Sequence, residues 1–182
     1  MNLYILDQNP TRAAQFLGDK HSSRAIVEGT QMLVNCFPES LLKLAPRTAK
    51  GTVRRHAYRD DRCAMWARQR LANAVWVLEH AIACEAERHY RFPHVLSHPC
   101  VPFLEWVSEN THSMEFSDPD TARRSGRTPF VQQMHHAFKR TGDPVSAYRL
   151  FYLVEKEHIL KWTKRGEPAW VDELYRSSVA FV

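Results

Sequence analysis

What the 182-residue sequence lacks already narrows its function. No apolar run approaches the roughly 18 residues of a membrane-spanning helix, and no charged-then-apolar leader opens the chain. The start, MNLYILD, holds too short an apolar stretch for a leader and reads as a short strand. Only four cysteines occur (36, 63, 84 and 100), with no C-x-x-C pair. Free thiols in a reducing compartment are therefore expected, not a disulfide framework. There is no Gly-rich phosphate loop, no G-x-S-x-G and no dinucleotide fingerprint, so nucleotide-cofactor chemistry has no support and no cofactor is expected. His94, His98 and Cys100, with Cys84 and His89 upstream, are the nearest approach to a metal set. Two prolines interrupt them and no second zinc-like pair exists, so no metal is expected. Repeats and low-complexity tracts are also absent.

What is present fits an ordinary globular chain: 44% hydrophobic and 25% charged residues. A chain of this size forms one domain, expected over residues 1–182, with a core that needs no disulfide or metal. The net charge of +5 is unevenly spread. Residues 45–70 carry eight Lys/Arg (47, 50, 54, 55, 59, 62, 68 and 70) against Asp60 and Asp61, a local +6, and the remainder sums to −1. A smaller cluster is Arg123, Arg124 and Arg127. Concentrated positive charge suits phosphates, whose condensed counterions are released on binding. A solvated basic surface is the plainer alternative.

Punctuation and periodicity predict a mostly α fold with one or two short strands at the N-terminus. Asn9-Pro10 starts a helix that Gly18 ends. Asp19 caps a second helix, from about Lys20 to Cys36, with Ala25, Ile26, Gly29, Leu33 and Cys36 inward. Residues 46–60 form a basic excursion carrying Arg47, Lys50, Arg54, Arg55 and Arg59. A long helix follows from about Asp61 to Arg91, its apolar stripe running through Ala64, Ala67, Leu71, Ala74, Val75, Leu78 and Ile82. A short helix ends near Asn110, and residues 111–128 form a long polar loop. Asp143-Pro144 opens a helix to about Lys164, with Ala147, Leu150, Phe151, Val154 and Trp162 inward. A last helix spans about Trp170 to Val179.

Three polar lines are candidates for chemistry. On the second helix, His21, Arg24, Glu28, Gln31 and Asn35 fall at i, i+3, i+7, i+10 and i+14, on one face. These types donate and accept; a merely solvated face carries mostly Lys–Glu pairs. Glu28 suits a general base or electrostatic stabiliser and His21 a proton shuttle. A structural role explains the same spacing equally well. The long helix offers Trp66, Arg70 and Asn73, with Arg68 beside them, as ligand contacts or as core and ion-pair residues. The helix after Pro144 interleaves aromatics with charges at Tyr148, Arg149, Tyr152, Glu155 and Lys156. Such a face can stack bases and neutralise phosphate, or it can be packing with charged tips.

Three blocks carry a resemblance: MNLYILDQNPTRAAQFLGDKH, MWARQRLANAVWVLEHAIACEAERHYRF and AYRLFYLVEKEHILKWTKRGEPAW. Together they resemble a family of small phage proteins similar to pyrimidine-dimer DNA glycosylases of the endonuclease V class. Asp19-Lys20-His21 followed by Glu28 is similar to the D-Q-H-x6-E stretch holding that class's catalytic glutamate. The resemblance implies that Glu28 is the catalytic carboxylate, with His21 and Arg24 beside it at the DNA. It also implies double-stranded DNA as partner and the cytoplasm of an infected bacterium as location. The class uses a free N-terminal amine as nucleophile. Here Met1 precedes the bulky Asn2, so Met1 is expected to stay, and Lys20 is the stand-in for a Schiff-base step.

That departure favours a second enzyme type that the chain also resembles: thymine-hypermodification transferases joining a free amino acid to an activated 5-hydroxymethyluracil in DNA. Such a transferase needs no lyase nucleophile. Arg24, Arg68, Arg70 and Arg149 would hold phosphates, and Glu28 or His21 would deprotonate the amine. This is the leading expectation. The glycosylase is the second and a non-enzymatic DNA-binding protein the third. Either enzyme must extrude its base from the duplex, with Tyr148, Tyr152 and Phe92 as candidate wedges.

Overall fold

The computed structural model describes the backbone of residues 1–179 and side chains through residue 176. In chain order its helices are α1 (Pro10–Phe16), α2 (Asp19–Val34), α3 (Glu39–Leu42), α4 (Arg62–Ala67), α5 (Leu71–Arg91), α6 (Val101–Glu109), α7 (Pro119–Ala122), α8 (Pro144–Lys156) and α9 (Ala169–Val179). The fold is mostly helical, and among the described residues there is no strand.

The expected N-terminal strand is a correction. Leu3, Ile5 and Leu6 are all buried, but the last two are consecutive, which breaks the period-two alternation of a strand. Tyr4 sits at φ +42°, outside the extended region. The backbone bonds to side chains where a strand would bond to a ladder. The Asn2 N–H donates to Glu28 Oε2 at 2.6 Å, and Arg149 Nε donates to the Leu6 carbonyl at 2.8 Å.

The centre of the molecule is the pairing of α2 with α5. Gly29 lets them approach. A Cβ at that position would lie 3.3 Å from Ala81 Cβ and 3.5 Å from Val77 Cγ1. Glycine inside a helix costs about 1 kcal/mol, and the close crossing offsets it. Ala25, Ile26, Leu33 and Cys36 join this core as expected.

The single helix expected over 61–91 is two helices. Arg70 turns extended (φ −148°, ψ 151°) between α4 and α5. The Asn73 amide holds the break by donating to the Trp66 carbonyl and to Thr128 Oγ1, both at 2.7 Å. Asparagine diverting backbone bonds in this way is a normal competitor of helix. Ala74 and Leu78 of the expected stripe are buried, but Ile82 is 43% exposed, and Trp76, His80 and Cys84 are buried beside them. The helix expected to reach Lys164 ends at Lys156, because the chain after it turns back onto α1 and α2. There Trp162 Nε1 donates to the Phe16 carbonyl and the Asp19 N–H to the Lys161 carbonyl, both at 2.8 Å. Val154, expected inward, is exposed.

Asp19 is also reassigned. Gly18 holds the cap position of α2, and the Asp19 carboxylate belongs to a buried ion network. Arg91, 1% exposed, donates to Asp19 Oδ1 (2.9 Å), Glu87 Oε1 (2.7 Å) and the carbonyls of Leu17 and Gln15 (both 2.8 Å). Thr163 Oγ1 donates to Asp19 Oδ2 at 2.7 Å, and Arg165 Nη2 donates to Glu87 Oε2 at 2.7 Å. Every charge in the network is partnered, the condition under which buried ions are tolerated.

Arg91→Met leaves the buried Glu87 and Asp19 short of their partner and is expected to cost about 3–5 kcal/mol in urea unfolding. Arg165→Met, at the part-exposed end of the same network, is expected to cost clearly less.

Candidate functional site

Glu28 lies on the outer part of α2, and its carboxylate is held at both oxygens. Arg24, one turn earlier, donates Nε to Oε1 at 2.7 Å, and the Asn2 N–H takes Oε2. Beside it opens a cavity of about 320 Å³ lined by Met1, Arg24, Val27, Glu28, Gln31 and Tyr58. The Met1 amine forms one wall by donating to Asp61 Oδ2 at 2.7 Å. Burial disfavours its charge, but the Asp61 hydrogen bond and the Asp61 and Glu28 charges outweigh this and hold the amine above its ordinary pKa. At neutral pH it is an ammonium.

The α2 polar line divides into three parts with different tasks. Its middle, Arg24, Glu28 and Gln31, faces the cavity. Its end fastens the basic excursion: Asn35 Nδ2 donates to the Ala57 carbonyl (2.9 Å) and Asn35 Oδ1 accepts the Ala57 N–H (3.2 Å). Gln31 Nε2 makes only a long contact, 3.4 Å, to the Arg55 carbonyl. Its start, His21, is buried. The Gly18 N–H donates to the Tyr152 hydroxyl at 2.9 Å, leaving the hydroxyl proton for His21 Nδ1 at 2.6 Å. This order assigns the proton on the ring to Nε2. Burial, then the charges of Lys156 and Arg24, push the His21 pKa down to about 4, so at physiological pH it is neutral and accepts through Nδ1. Tyr4 packs against His21 and Tyr152 with ring centroids 5.3 and 5.0 Å away. Burial, then the Glu28 charge, raises its hydroxyl pKa.

Several expected contacts are built into the core and do not face a ligand. Tyr148 and Tyr152 are fully buried and cannot serve as wedges; Phe92, at the end of α5, is 39% exposed. The Tyr148 hydroxyl accepts the Gln133 N–H (3.0 Å) and donates to the Val131 carbonyl (3.1 Å). Trp66 packs on Trp76 and Phe130, and Asn73 holds the α4–α5 break. Arg149 is spent on Leu6 and Asp7, Arg68 on the Arg59 carbonyl (2.8 Å) and Arg70 on the Gly126 carbonyl (3.4 Å). Lys20 and Glu155 are exposed and Lys156 half-buried; none lines the cavity. Among the described residues no three His, Cys, Asp or Glu side chains converge on a metal position.

Residues 46–60 carry no regular structure, as expected of an excursion. Arg47, Lys50, Arg55 and Arg59 are exposed, with Arg62 beside them at the start of α4. Arg54 is not part of that surface. It is 9% exposed, lies 4.6 Å over the Phe103 ring and donates to the Pro46 carbonyl. Sequence reasoning weighed the Met1 amine only as a nucleophile and missed Asp61, Val27 and Tyr58 at the site. Nothing in local spacing marks Asp61 or Val27. Tyr58 was legible only as a lone aromatic inside the basic stretch. No family model, curated protein or solved structure matches the chain.

His21 and His80 both titrate near 4 in the fold, His80 through burial alone. The unfolded value is about 6.5, so the unfolded chain takes up these protons first. Their contribution is full above about pH 6.5 and is lost as pH falls toward 4, by about 1.4 kcal/mol per unit per histidine. Denaturant unfolding between pH 7 and 4.5 is expected to follow this slope, and His80→Gln to reduce it by about half.

Proposed function

We propose that the protein is an enzyme acting on a thymine-derived base in duplex DNA, hydrolysing the bond between base and deoxyribose at Glu28: water adds at C1′ as that bond breaks, and the proton water gives up goes to the departing base. The observation that carries the reading is the Glu28 carboxylate, fixed by Arg24 and the Asn2 N–H at the wall of a cavity beside an exposed basic surface. Loss of a base leaves positive charge on the sugar. A carboxylate already oriented before the reaction stabilises that charge without reorganising. A cavity of about 320 Å³ has the size of a small-ligand pocket. Arg55, whose carbonyl meets Gln31, and Arg59, next to Tyr58, offer phosphate contacts beside it, and Arg47, Lys50 and Arg62 extend the exposed basic surface. The Met1 amine, held as an ammonium by Asp61, adds to the charge pattern of the wall; as an ammonium it is no nucleophile. The resemblance to pyrimidine-dimer glycosylases points to UV-damaged DNA as the first substrate to try, in the cytoplasm of an infected bacterium.

The amino acid transferase has less support from the geometry. It needs free guanidinium groups for a departing pyrophosphate; Arg149 is engaged with Leu6 and Asp7 and Arg68 with the Arg59 carbonyl, which leaves the exposed Arg24, bonded through Nε alone, and Arg70. It also needs a base for the incoming amine. Of the two candidates His21 is committed, its Nδ1 accepting from Tyr152 and its Nε2 carrying the ring proton, which leaves Glu28 alone. In a DNA-binding protein without catalysis, Glu28 would serve only to fasten the N-terminal segment through Asn2.

Incubation with UV-irradiated duplex followed by hot alkali is expected to give strand breaks at pyrimidine pairs. Glu28→Gln should lower that rate by about 10²–10³-fold with duplex affinity kept; full activity in Glu28→Gln would overturn the proposal. Duplex affinity should fall steeply with salt. With up to five phosphates neutralised, the log–log slope would approach about −4.5, and a flat dependence would remove the DNA reading altogether.

A further inference from the structure

Arg123, Arg124 and Arg127 form a basic cluster that the Glu28 site does not use. Of the three, Arg127 is the one drawn into the fold. Its guanidinium lies 4.3 Å over the Phe130 ring, and Nη2 donates to Gln8 Oε1 at 3.1 Å. Burial there lowers its pKa, with only the charge of Glu79 opposing. Arg88, Arg91, Arg149 and Arg165 are also withdrawn from solvent, and each is paired with a carboxylate. Among the described residues Arg127 has no such partner. Residue 8 is the telling neighbour. A glutamate there would neutralise the guanidinium through the same contact. The glutamine holds it and leaves its charge in place.

Arg127 lines a cavity of about 590 Å³ with Thr128, Pro129, Phe130, Gln132 and Pro144. It is larger than the cavity at Glu28, and the two share no residue. Its walls are set before a ligand arrives. Asn73 Oδ1 accepts the Thr128 N–H at 3.0 Å, and Thr128 Oγ1 donates to Gln69 Oε1 at 2.9 Å. Gln132 Nε2 donates to the Arg140 carbonyl at 2.7 Å, and its Oε1 accepts the Arg140 N–H at 2.9 Å. Thr128 and Gln132 are thereby committed. Arg127 keeps donors to offer, since Nε and Nη1 have no acceptor among the described residues. A guanidinium stacked on a ring with donors to spare suits an oxyanion.

The rim adds positive charge and little negative. Arg70 donates to the Gly126 carbonyl at its edge (3.4 Å), and Arg140 is exposed beside Gln132. Asp143 is committed to the Ser146 N–H as the cap of α8, and Glu79 lines a separate hollow against α1 and α5. A phosphate monoester, at about −1.5 to −2, matches that excess better than a carboxylate does. Arg127 is half-buried in a concavity, within reach of a small ligand, whereas the exposed residues of the 46–60 excursion suit the outside of a duplex.

We propose that this cavity is a second binding site, for a free organic phosphate monoester whose phosphate sits on Arg127 and whose body lies against Pro129 and Pro144. The proposal depends neither on the DNA reading nor on Glu28.

Isothermal titration calorimetry tests it with thymidine 5′-monophosphate, which carries one phosphate on a small organic body, and with thymidine as the uncharged control. The nucleotide should bind one per chain, and thymidine at least about tenfold more weakly. Arg127→Gln should weaken the nucleotide by about 10- to 150-fold, the range for a hydrogen bond to a charged group. Gln8→Glu is the decisive variant. It gives Arg127 the missing carboxylate, so nucleotide binding should fall by a similar factor while the protein melts at the same or a higher temperature. A merely structural arginine would gain stability from that change with no loss of binding. Glu28→Gln should leave nucleotide binding unchanged. No binding of the nucleotide at millimolar concentration, or equal affinity in Arg127→Gln and Gln8→Glu, would overturn the proposal. Loss of binding in Glu28→Gln would place the nucleotide in the other cavity and overturn it too. Displacement of the nucleotide by a short duplex would assign Arg127 to a DNA surface and overturn the small-ligand site.

Discussion

The buried guanidinium of Arg91 is the constraint on which the rest of the molecule depends. It lies at the last turn of α5 and gathers the end of α1, the first residue of α2 and, through Glu87 and Asp19, the segment at Thr163 and Arg165. A charge in that position is stable only if every partner is in place. It therefore fixes where α2 begins and how it is rotated. From Asp19 the helix runs without a break through Arg24 and Glu28 to Gln31, with Gly29 pressed on α5. The rotation that buries Gly29 turns Glu28 toward the N-terminal segment, whose Asn2 N–H it accepts. The site is thus a consequence of how the core is locked.

Around Glu28 the structure collects pieces from distant parts of the chain. Met1 arrives along the buried N-terminal segment, Tyr58 on the basic excursion and Asp61 at the head of α4. Each is fixed by backbone hydrogen bonds. The charged surface meets the cavity because Asn35 holds residue 57 against α2, with His56 bonded to the Phe37 carbonyl and Arg68 to the Arg59 carbonyl on either side. A long flexible basic loop would bind phosphate anywhere, whereas a fastened one offers its charges at one place. This is pre-organisation in the ordinary sense: the cost of ordering is met during folding and not on binding.

Much of the architecture was legible in the sequence, for reasons that can be named. Asn9-Pro10 and Asp143-Pro144 mark helix starts through local chemistry that tertiary structure rarely overrides, and both hold. The α2 stripe was readable because both of its faces keep helical period. The errors arise where distant partners decide. Asn73 breaks a helix to reach Thr128, 55 residues away, and the chain after Lys156 turns because Asp19 and Phe16 offer partners. Tyr148, Tyr152 and Arg149 alternate like a stacking face. Their hydroxyls and guanidinium are nevertheless consumed by Gln133, Gly18 and Leu6, none of which is near in sequence. Of the expected site residues, Arg24, Glu28 and Gln31 face the cavity: the first two are paired one turn apart on α2, while Gln31 reaches across to the Arg55 carbonyl.

The most direct test of the account is where a duplex touches the protein. A UV-damaged duplex carrying 5-iodouracil beside the lesion can be photocrosslinked to the protein and the attached peptide mapped by mass spectrometry. The account predicts attachment within residues 24–31 or 55–62, the two segments that line the cavity and its basic rim. Attachment confined to the apolar groove that Ile82, Ala86, Val101 and Leu104 line between α5 and α6, or to the loop around Arg127, would contradict it.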